Sequence, residues 1–370
     1  MRARAVALLC ALVLGTAACG SDQKPGGTGE LEVTASDTRC AVPKTSLPAG
    51  RHTFAVSNKG TKVTEFYVYA AGDRVVGEVE NITPGLRRTL VVDLAAGTYQ
   101  AACKPGMVGD GIRTALTVTG AAASQAANEK LAAAVQGYRQ YLQSQANTLV
   151  DQTAAFTAAI KAGDAAEAKT LYPQARTYYE RIEPVAESFG DLDPKIDARE
   201  DKVEQGATWT GFHRLEKDIW SGADLKADAG IADQLNADVA ALKKEVDGLS
   251  LTPLQLASGA KELLDEVAAS KVTGEEDRYS HTDLWDFQAN VEGSKAAVAA
   301  LRPFLDERDP TIGPKLDARF AAVQKELDPH RSGAGFVVYT TLNPAQVKAL
   351  SDAVNGLAEP VSTVAGLVAK

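Results

Sequence analysis

The amino-acid composition changes abruptly after Gly120, and this change constrains the fold more than any other feature of the chain. Residues 31–119 contain short runs rich in β-branched and aromatic residues, whereas the rest is rich in alanine, glutamine, glutamate and leucine with apolar residues at helical spacing. The chain therefore carries two domains of different class. We expect an all-β domain over residues 31–120 and an all-α domain over residues 121–370.

The first domain has the pattern of a β-sandwich. Its short runs, several of which alternate apolar and polar residues, are separated by turn-forming segments such as Pro48-Ala49-Gly50 and Asn58-Lys59-Gly60. Turns that recur at this spacing are typical of two packed sheets. The sequence therefore predicts a Greek-key sandwich with strands at 31–34, 51–57, 65–70, 89–94, 97–102 and 113–119.

The second domain carries clear signals for helix starts. Asp164, Thr252 and Asn343 each stand three residues before an acidic or amide partner, which predicts three capping boxes. The domain is long enough for two packed helical bundles. A weak similarity between residues 182–199 and 301–319 supports this count. We expect a double helical bundle with a ligand site at the seam between its halves.

The N-terminus resembles a bacterial lipoprotein signal. Arg2 and Arg4 precede an apolar stretch, and Ala17-Ala18 stand directly before Cys19, although Thr16 occupies the usual leucine position. This pattern predicts a signal peptide over residues 1–18 and acylation of Cys19. Residues 19–30 have the composition of a flexible tether. We expect a lipid-anchored protein on the outer face of the cytoplasmic membrane, with plain secretion or a periplasmic location as the alternative.

Charge and cysteine content limit the possible partners. The formal net charge is −9, which gives no indication of a nucleic-acid partner. Of the four cysteines, only Cys40 and Cys103 remain for the folded domains, because Cys10 is removed with the predicted signal peptide and Cys19 would be acylated. Outside the cytosol such a pair forms either a disulfide or part of a metal site, and the sequence does not choose between them.

The strongest local indication of chemistry is a histidine and a carboxylate on one helical face. His213 and Glu216 are three residues apart, and Glu180 and Glu183 repeat that spacing upstream. One such pair is more often a surface contact, but di-iron bundle proteins build their sites from similar pairs on facing helices. With only four histidines in the chain, a metal site must use mainly carboxylates, which favours hard or borderline ions.

Several catalytic motifs are missing from the sequence. There is no His-Glu-x-x-His helix of a zinc protease, no Gly-x-Ser-x-Gly elbow and no phosphate-binding glycine loop. Further acidic candidates, Asp197 and Glu276, lie in segments that have the character of element ends. Spacing alone does not identify them.

The segment from Tyr99 to Met107 imitates the last loop of a blue-copper protein. A type 1 copper site requires two histidines beside the cysteine, but this loop has none, and Glu65 stands where the first histidine is expected. The copper electron-transfer site is therefore incomplete. What remains is either a mixed thiolate and carboxylate site or a structural disulfide, and its candidate residues are Cys40, Cys103, Glu65, Glu80 and Met107.

Together these segments resemble the EfeO family of bacterial iron uptake components over nearly the whole chain after the signal. The resemblance is carried by residues 178–187, by Asp197-Ala198-Arg199, by residues 209–216 and by residues 274–288. The run from Gly211 to Glu216 matches Gly-x-His-x-x-Glu, the hallmark of the imelysin domain. The resemblance implies an imelysin-like helical domain that follows a cupredoxin-like domain.

The same resemblance implies a ligand set and partners. Carried over to this sequence, the ligands are His213, Glu216, Glu180, Glu183, Asp197 and Glu276. The implied ion is iron, with copper or zinc as alternatives, and the cupredoxin-like domain is implied to retain two cysteines, which Cys40 and Cys103 match. The implied partners are an EfeU-like iron permease and an EfeB-like haem peroxidase.

We therefore predict a metal-binding uptake component that captures iron and delivers it to a membrane permease, rather than an enzyme. The alternatives are a metallopeptidase that uses His213 and Glu216, a copper-assisted iron oxidase, and a binder of haem or an alginate-type ligand. A peptidase needs an open metal position and a free general base. A site filled by five carboxylates and one imidazole would provide neither.

Overall fold

A computed structural model describes residues 30–120, 129–203 and 206–369 of the protein. The predicted signal peptide, the predicted acylation site Cys19 and most of the predicted tether lie outside the described residues. No helix in the described ranges is both long enough and apolar enough to span a membrane.

The first domain is a sandwich of two sheets, as its turn spacing predicts. Five strands form one sheet in the order β3-β9-β8-β5-β6, and four form the other in the order β2-β1-β4-β7. The strands are β1 Leu31–Ala35, β2 Cys40–Ala41, β3 Ser46–Pro48, β4 Gly50–Asn58, β5 Thr64–Tyr69, β6 Val75–Ile82, β7 Arg87–Leu94, β8 Gly97–Pro105 and β9 Ile112–Thr119.

Six of these strands match the predicted ones to within a few residues, and three were not predicted. Strands β2 and β3 are two and three residues long, too short to show an alternation. Strand β6 is eight residues long, but its alternation is interrupted by Gly77 and by Glu78, a carboxylate at a buried position. The core between the sheets contains the ring pair Phe54 and Phe66, whose centroids are 5.4 Å apart.

The second domain is all-α, in agreement with its helical periodicity. Its helices are α1 Glu129–Ala162, α2 Ala165–Glu180, α3 Leu192–Asp197, α4 Gly211–Ser221, α5 Ala229–Gly248, α6 Pro253–Ala269, α7 Asp283–Arg308, α8 Ile312–Leu327 and α9 Pro344–Val368. Helix α1 packs on α2 and α5, while α6 packs on α7 and α9 and α8 packs on α9. Helix α7 also contacts α1 and α2, and therefore forms the seam between two bundles.

Two of the three predicted capping boxes are complete. Thr252 and Asn343 each exchange both bonds with the glutamine three residues later. Asp164 accepts from Glu167 N at 3.0 Å, but its own backbone N–H donates to Ala159 O at 2.9 Å. The predicted box at Asp164 is therefore only half formed, because the end of α1 already occupies that donor. The similar segments 182–199 and 301–319 also differ in structure, since the short α3 lies in the first and parts of α7 and α8 in the second.

Candidate metal centre

The predicted site lies in the helical domain, and its centre is His213 on helix α4. Gly211 begins this helix with a φ of 88°, and a side chain there would meet Ile196 O at 2.2 Å. Trp209 Nε1 donates to Ala198 O at 2.7 Å, which fixes the start of α4 beside the end of α3. Asp197 is the last residue of α3. This close approach brings His213 next to Asp197.

Glu216 orients the imidazole of His213. His213 Nδ1 lies 3.0 Å from Glu216 Oε2, and both side chains are buried. Glu216 Oε1 accepts from the backbone N–H groups of Tyr279 and Ser280, at 2.9 and 2.7 Å. With both of its oxygens engaged, Glu216 holds His213 through Nδ1 and directs Nε2 away from itself.

His213 Nε2 faces two further carboxylates without a hydrogen bond to either. It lies 3.8 Å from Asp197 Oδ1 and 3.6 Å from Glu276 Oε1, and it has no hydrogen-bond partner among the described residues. Asp197, His213 and Glu276 each offer one ligand atom, and these atoms all lie within 4.8 Å of one another. His213, Glu216 and Asp277 form a second group by the same measure.

In the structure, Glu180 and Glu183 contact a different set of side chains from His213. They do not share one helical turn, because Glu180 ends α2 and Glu183 begins a separate 3-10 helix, Glu183–Phe189. The buried Lys271 Nζ lies 2.8 Å from Glu180 Oε2 and 2.7 Å from Glu183 Oε2. Asn290 Nδ2 donates to the same two oxygens, at 2.8 and 2.5 Å. These two carboxylates are therefore held by cationic and amide donors.

Arg176 lies between the two groups of carboxylates and was not identified from the sequence. Its guanidinium is fully buried and forms ion pairs with Glu180, Asp197 and Asp286. It also lies 3.7 Å from Glu276. Because Asp286 is on α7 and Arg176 on α2, the cluster spans the seam between the bundles.

Four charged residues of this cluster are not among the ligands predicted from the sequence: Arg176, Lys271, Asp277 and Asp286. Arg176 and Glu180 have the i, i+4 spacing of a helical ion pair, a signal present in the sequence. Asp277 and Asp286 lie in the run 274–288 that carries the family resemblance. Nothing near Lys271 in the sequence indicates that its ammonium group is buried among carboxylates.

Burial and the neighbouring charges raise the pKa values of His213 and Asp197 and lower the pKa of Glu276. Burial and Arg176 lower the pKa of His213, but Asp197, Glu216 and Glu276 outweigh them and raise it to about 10. Burial raises the pKa of Asp197 to about 6, although Arg176 and His213 oppose this. Burial also disfavours ionisation of Glu276, yet Lys271, His213 and Arg199 hold its pKa well below the usual range. The metal-free cluster thus contains a protonated His213 at neutral pH.

The candidates of the first domain do not form one site. Cys40 and Cys103 are joined in a disulfide in the core of the sandwich. Glu65 is buried and accepts from Tyr67 Oη at 3.0 Å, while Met107 is exposed in a turn. Glu65, Glu80 and Met107 all line a broad cleft that faces the helical domain. Within residues 30–120 the disulfide leaves no free thiolate to join them.

Comparison with known proteins places the chain in a family. The family model described as imelysin matches residues 134–364, and the model described as a cupredoxin-like domain matches residues 7–118. Proteins named iron uptake system component EfeO from Escherichia coli strain K12, E. coli O157:H7 and Shigella flexneri are each 42% identical over 346 residues, which cover 92% of this chain and 91% of each relative. The chain belongs to the EfeO family.

The EfeO assignment confirms the resemblance and the fold class predicted from the sequence: a cupredoxin-like sandwich followed by an imelysin domain. A solved structure from Parabacteroides distasonis covers 66% of the chain at 13% identity, with a TM-score of 0.48. That similarity is too low to support a functional assignment. In this EfeO-family chain the Gly-x-His-x-x-Glu motif is the start of α4, where Gly211 allows the close approach, His213 faces the carboxylates and Glu216 orients it.

Proposed function

We propose that this EfeO-family protein binds iron outside the cytoplasm and delivers it to a membrane permease, without catalytic turnover. The observation that carries the proposal is the buried His213 Nε2, which has no hydrogen-bond partner in the part of the chain that the structure describes and faces Asp197 and Glu276 at 3.8 and 3.6 Å. A ferrous or ferric ion between these atoms would gain one nitrogen and two carboxylate ligands, a donor set that suits iron. The names of the 42% identical relatives support iron as the cargo.

We assign distinct roles to the six predicted ligands. Asp197, His213 and Glu276 would bind the ion directly, and Glu216 would position His213. Glu180 and Glu183 would join the coordination only if Lys271 moved away from them. Lys271 and Arg176 would neutralise the carboxylates in the absence of metal, so that ion binding exchanges one set of positive charges for another.

The same contacts argue against the peptidase alternative. A metallopeptidase needs a carboxylate free to activate water, but both oxygens of Glu216 already accept hydrogen bonds.

We also propose that Cys19 is acylated and that an EfeU-like permease and an EfeB-like haem peroxidase are the partners. Replacement of Cys19 by serine is expected to release the protein into the medium, and retention at the membrane would contradict the anchor.

The test uses the full chain. Anaerobic calorimetric titration with ferrous ion compares the wild type with the triple variant Asp197→Asn, His213→Gln and Glu276→Gln, and circular dichroism checks folding. We expect the triple variant to lose the His213-dependent ion and keep its helicity. The exposed double variant Glu245→Gln and Glu275→Gln is the control for loss of negative charge. Unchanged binding by a folded triple variant would place the iron site elsewhere.

A further inference from the structure

A second acidic cavity lies between the two domains, separate from His213. Its volume is about 160 Å³, and it is lined by residues of strand β6, helix α6 and the 3-10 helix Glu183–Phe189. Both domains contribute carboxylates: Glu78 and Glu80 come from β6, while Glu187, Glu262 and Glu266 come from the helical domain. Among the described residues that line this cavity, none is a lysine, arginine or histidine.

Close packing between elements builds the cavity. A side chain at position 259 would meet Pro184 O at 1.8 Å, so Gly259 lets α6 lie directly against the 3-10 helix. Glu262, one turn further along α6, lines the same cavity as Glu187. Gln255 Nε2 donates to Val76 O at 3.4 Å and holds β6 beside the same helix.

The environment of the Glu78 side chain indicates that the cavity binds a ligand. Its side chain lines the cavity, the residue is only 6% exposed, and Oε2 has no hydrogen-bond partner among the described residues. Glu78 forms no salt bridge with any residue that the structure describes. Burial, together with Glu187, Glu262 and Glu80, raises the pKa of Glu78 well above its usual range. The ionised carboxylate is therefore disfavoured at this buried position without a partner, and a bound cation would displace the proton and stabilise the ionised form.

We propose that this interdomain cavity is a second metal site, which takes a hard divalent or trivalent cation through carboxylates of both domains. Glu78 would supply the ligand from the β-domain, and Glu187 and Glu262 those from the helical domain. A donor set of oxygens alone selects hard ions such as ferric or manganous ion over softer ones. Because the ligands come from two domains, a bound ion would also tie them together.

Cationic side chains lie around this cavity and not in its lining. A broader cleft shares Glu78, Glu80 and Glu262 with the cavity and is lined by Arg88, Arg199, Lys202 and Lys261. Lys261 is paired with Asp265. Glu183 lines the cavity and also pairs with Lys271, which lies 3.9 Å from Glu276 of the His213 cluster. The inference requires neither Glu183 nor the proposed iron site.

The experiment is a calorimetric titration of the full chain with manganous ion. The cavity variant carries Glu78→Gln and Glu262→Gln, and the matched control carries Glu245→Gln and Glu359→Gln, which remove two exposed carboxylates. We expect the wild type and the control to bind one manganous ion more than the cavity variant does. If the cavity variant still binds this additional ion, we expect its affinity to be at least tenfold lower. Equal stoichiometry with affinities within twofold would overturn the proposal.

Two further variants keep the result decisive. The triple variant Asp197→Asn, His213→Gln and Glu276→Gln should retain the cavity ion, so failure of the iron site and failure of the cavity site give different results. Should the Glu78 variant not fold, Glu187→Gln with Glu262→Gln tests the same site through side chains that are less buried than Glu78. Wild-type binding by that folded variant would equally overturn the proposal.

Discussion

His213 Nδ1 lies 3.0 Å from Glu216 Oε2, and this contact decides which imidazole nitrogen faces the other carboxylates. Glu216 is itself fixed by two backbone N–H groups, those of Tyr279 and Ser280. Helix α4 is thereby tied to the segment that carries Glu276. A shift of either element would change the distance between His213 Nε2 and Glu276 Oε1.

Replacement of Glu216 by glutamine should weaken metal binding without unfolding the protein. The amide nitrogen cannot accept a hydrogen bond, so one of the three donors now bonded to Glu216 loses its acceptor. Loss of an orienting partner commonly lowers metal affinity by about 10–100-fold, and titration with ferrous ion measures this. The exposed Glu275→Gln is the control. An affinity within twofold of wild type would show that Glu216 does not position His213.

Replacement of Arg176 by methionine should strongly destabilise the metal-free protein. It removes the cation that pairs with Asp197 and Asp286 and leaves Glu180 with Lys271 alone, and breaking a buried ion pair in this way costs about 3–5 kcal/mol. Urea denaturation measures the loss, and saturating metal should recover part of it by linkage. Arg302→Met, which removes exposed pairs, should cost less than about 1 kcal/mol. A similar small cost for Arg176→Met would contradict the neutralising role.

Metal binding at His213 should release a proton and strengthen as pH rises. The pKa of His213 is raised to about 10, so at pH 7 the ion must displace the ring proton. Calorimetry in buffers of different ionisation enthalpy counts that proton, and His213→Gln should lower the number of protons released by one. In the metal-free protein the raised pKa stabilises the fold fully below about pH 6.5, and this contribution is lost as pH rises through about 10. Proton-independent binding by the wild type would exclude His213 as a ligand.

Removal of the disulfide should destabilise the β-domain. Cys40 and Cys103 are 63 residues apart, and the chain-entropy model assigns a loop of that length about 4 kcal/mol. The double variant Cys40→Ala and Cys103→Ala is therefore expected to unfold at lower denaturant concentration. Thiol titration of unfolded wild-type protein without reductant tests the bond itself. Reactive thiols at both Cys40 and Cys103 in the unfolded protein would contradict it.

Addition of cupric ion should not generate a blue-copper spectrum. Cys103 is in the disulfide, and Glu65 occupies the position where a histidine ligand is expected. The intense thiolate-to-copper absorption near about 600 nm requires a His₂Cys site. Its appearance in the wild type, with loss in Cys103→Ser, would contradict both the disulfide and the incomplete copper site.

Local patterns in the sequence determined the secondary-structure elements. The change of composition after Gly120 separated the domains, six strands followed from alternation, and Thr252 and Asn343 marked helix starts with complete capping boxes. The pairing of His213 with Glu216 also followed from spacing. All these features depend on residues within a turn or on neighbours along one strand, where the chain itself fixes the distance.

Only the tertiary structure decided how these elements combine into sites. Lys271 is about ninety residues from Glu180 in the sequence, yet the fold buries its ammonium group beside that carboxylate. Strand β6 was missed because Glu78 breaks its apolar alternation, and its burial results from packing against the other domain. The choice between disulfide and metal at Cys40 and Cys103 likewise required their positions in space. These distances are set by the packing of segments that are distant in the sequence, and local periodicity does not predict that packing.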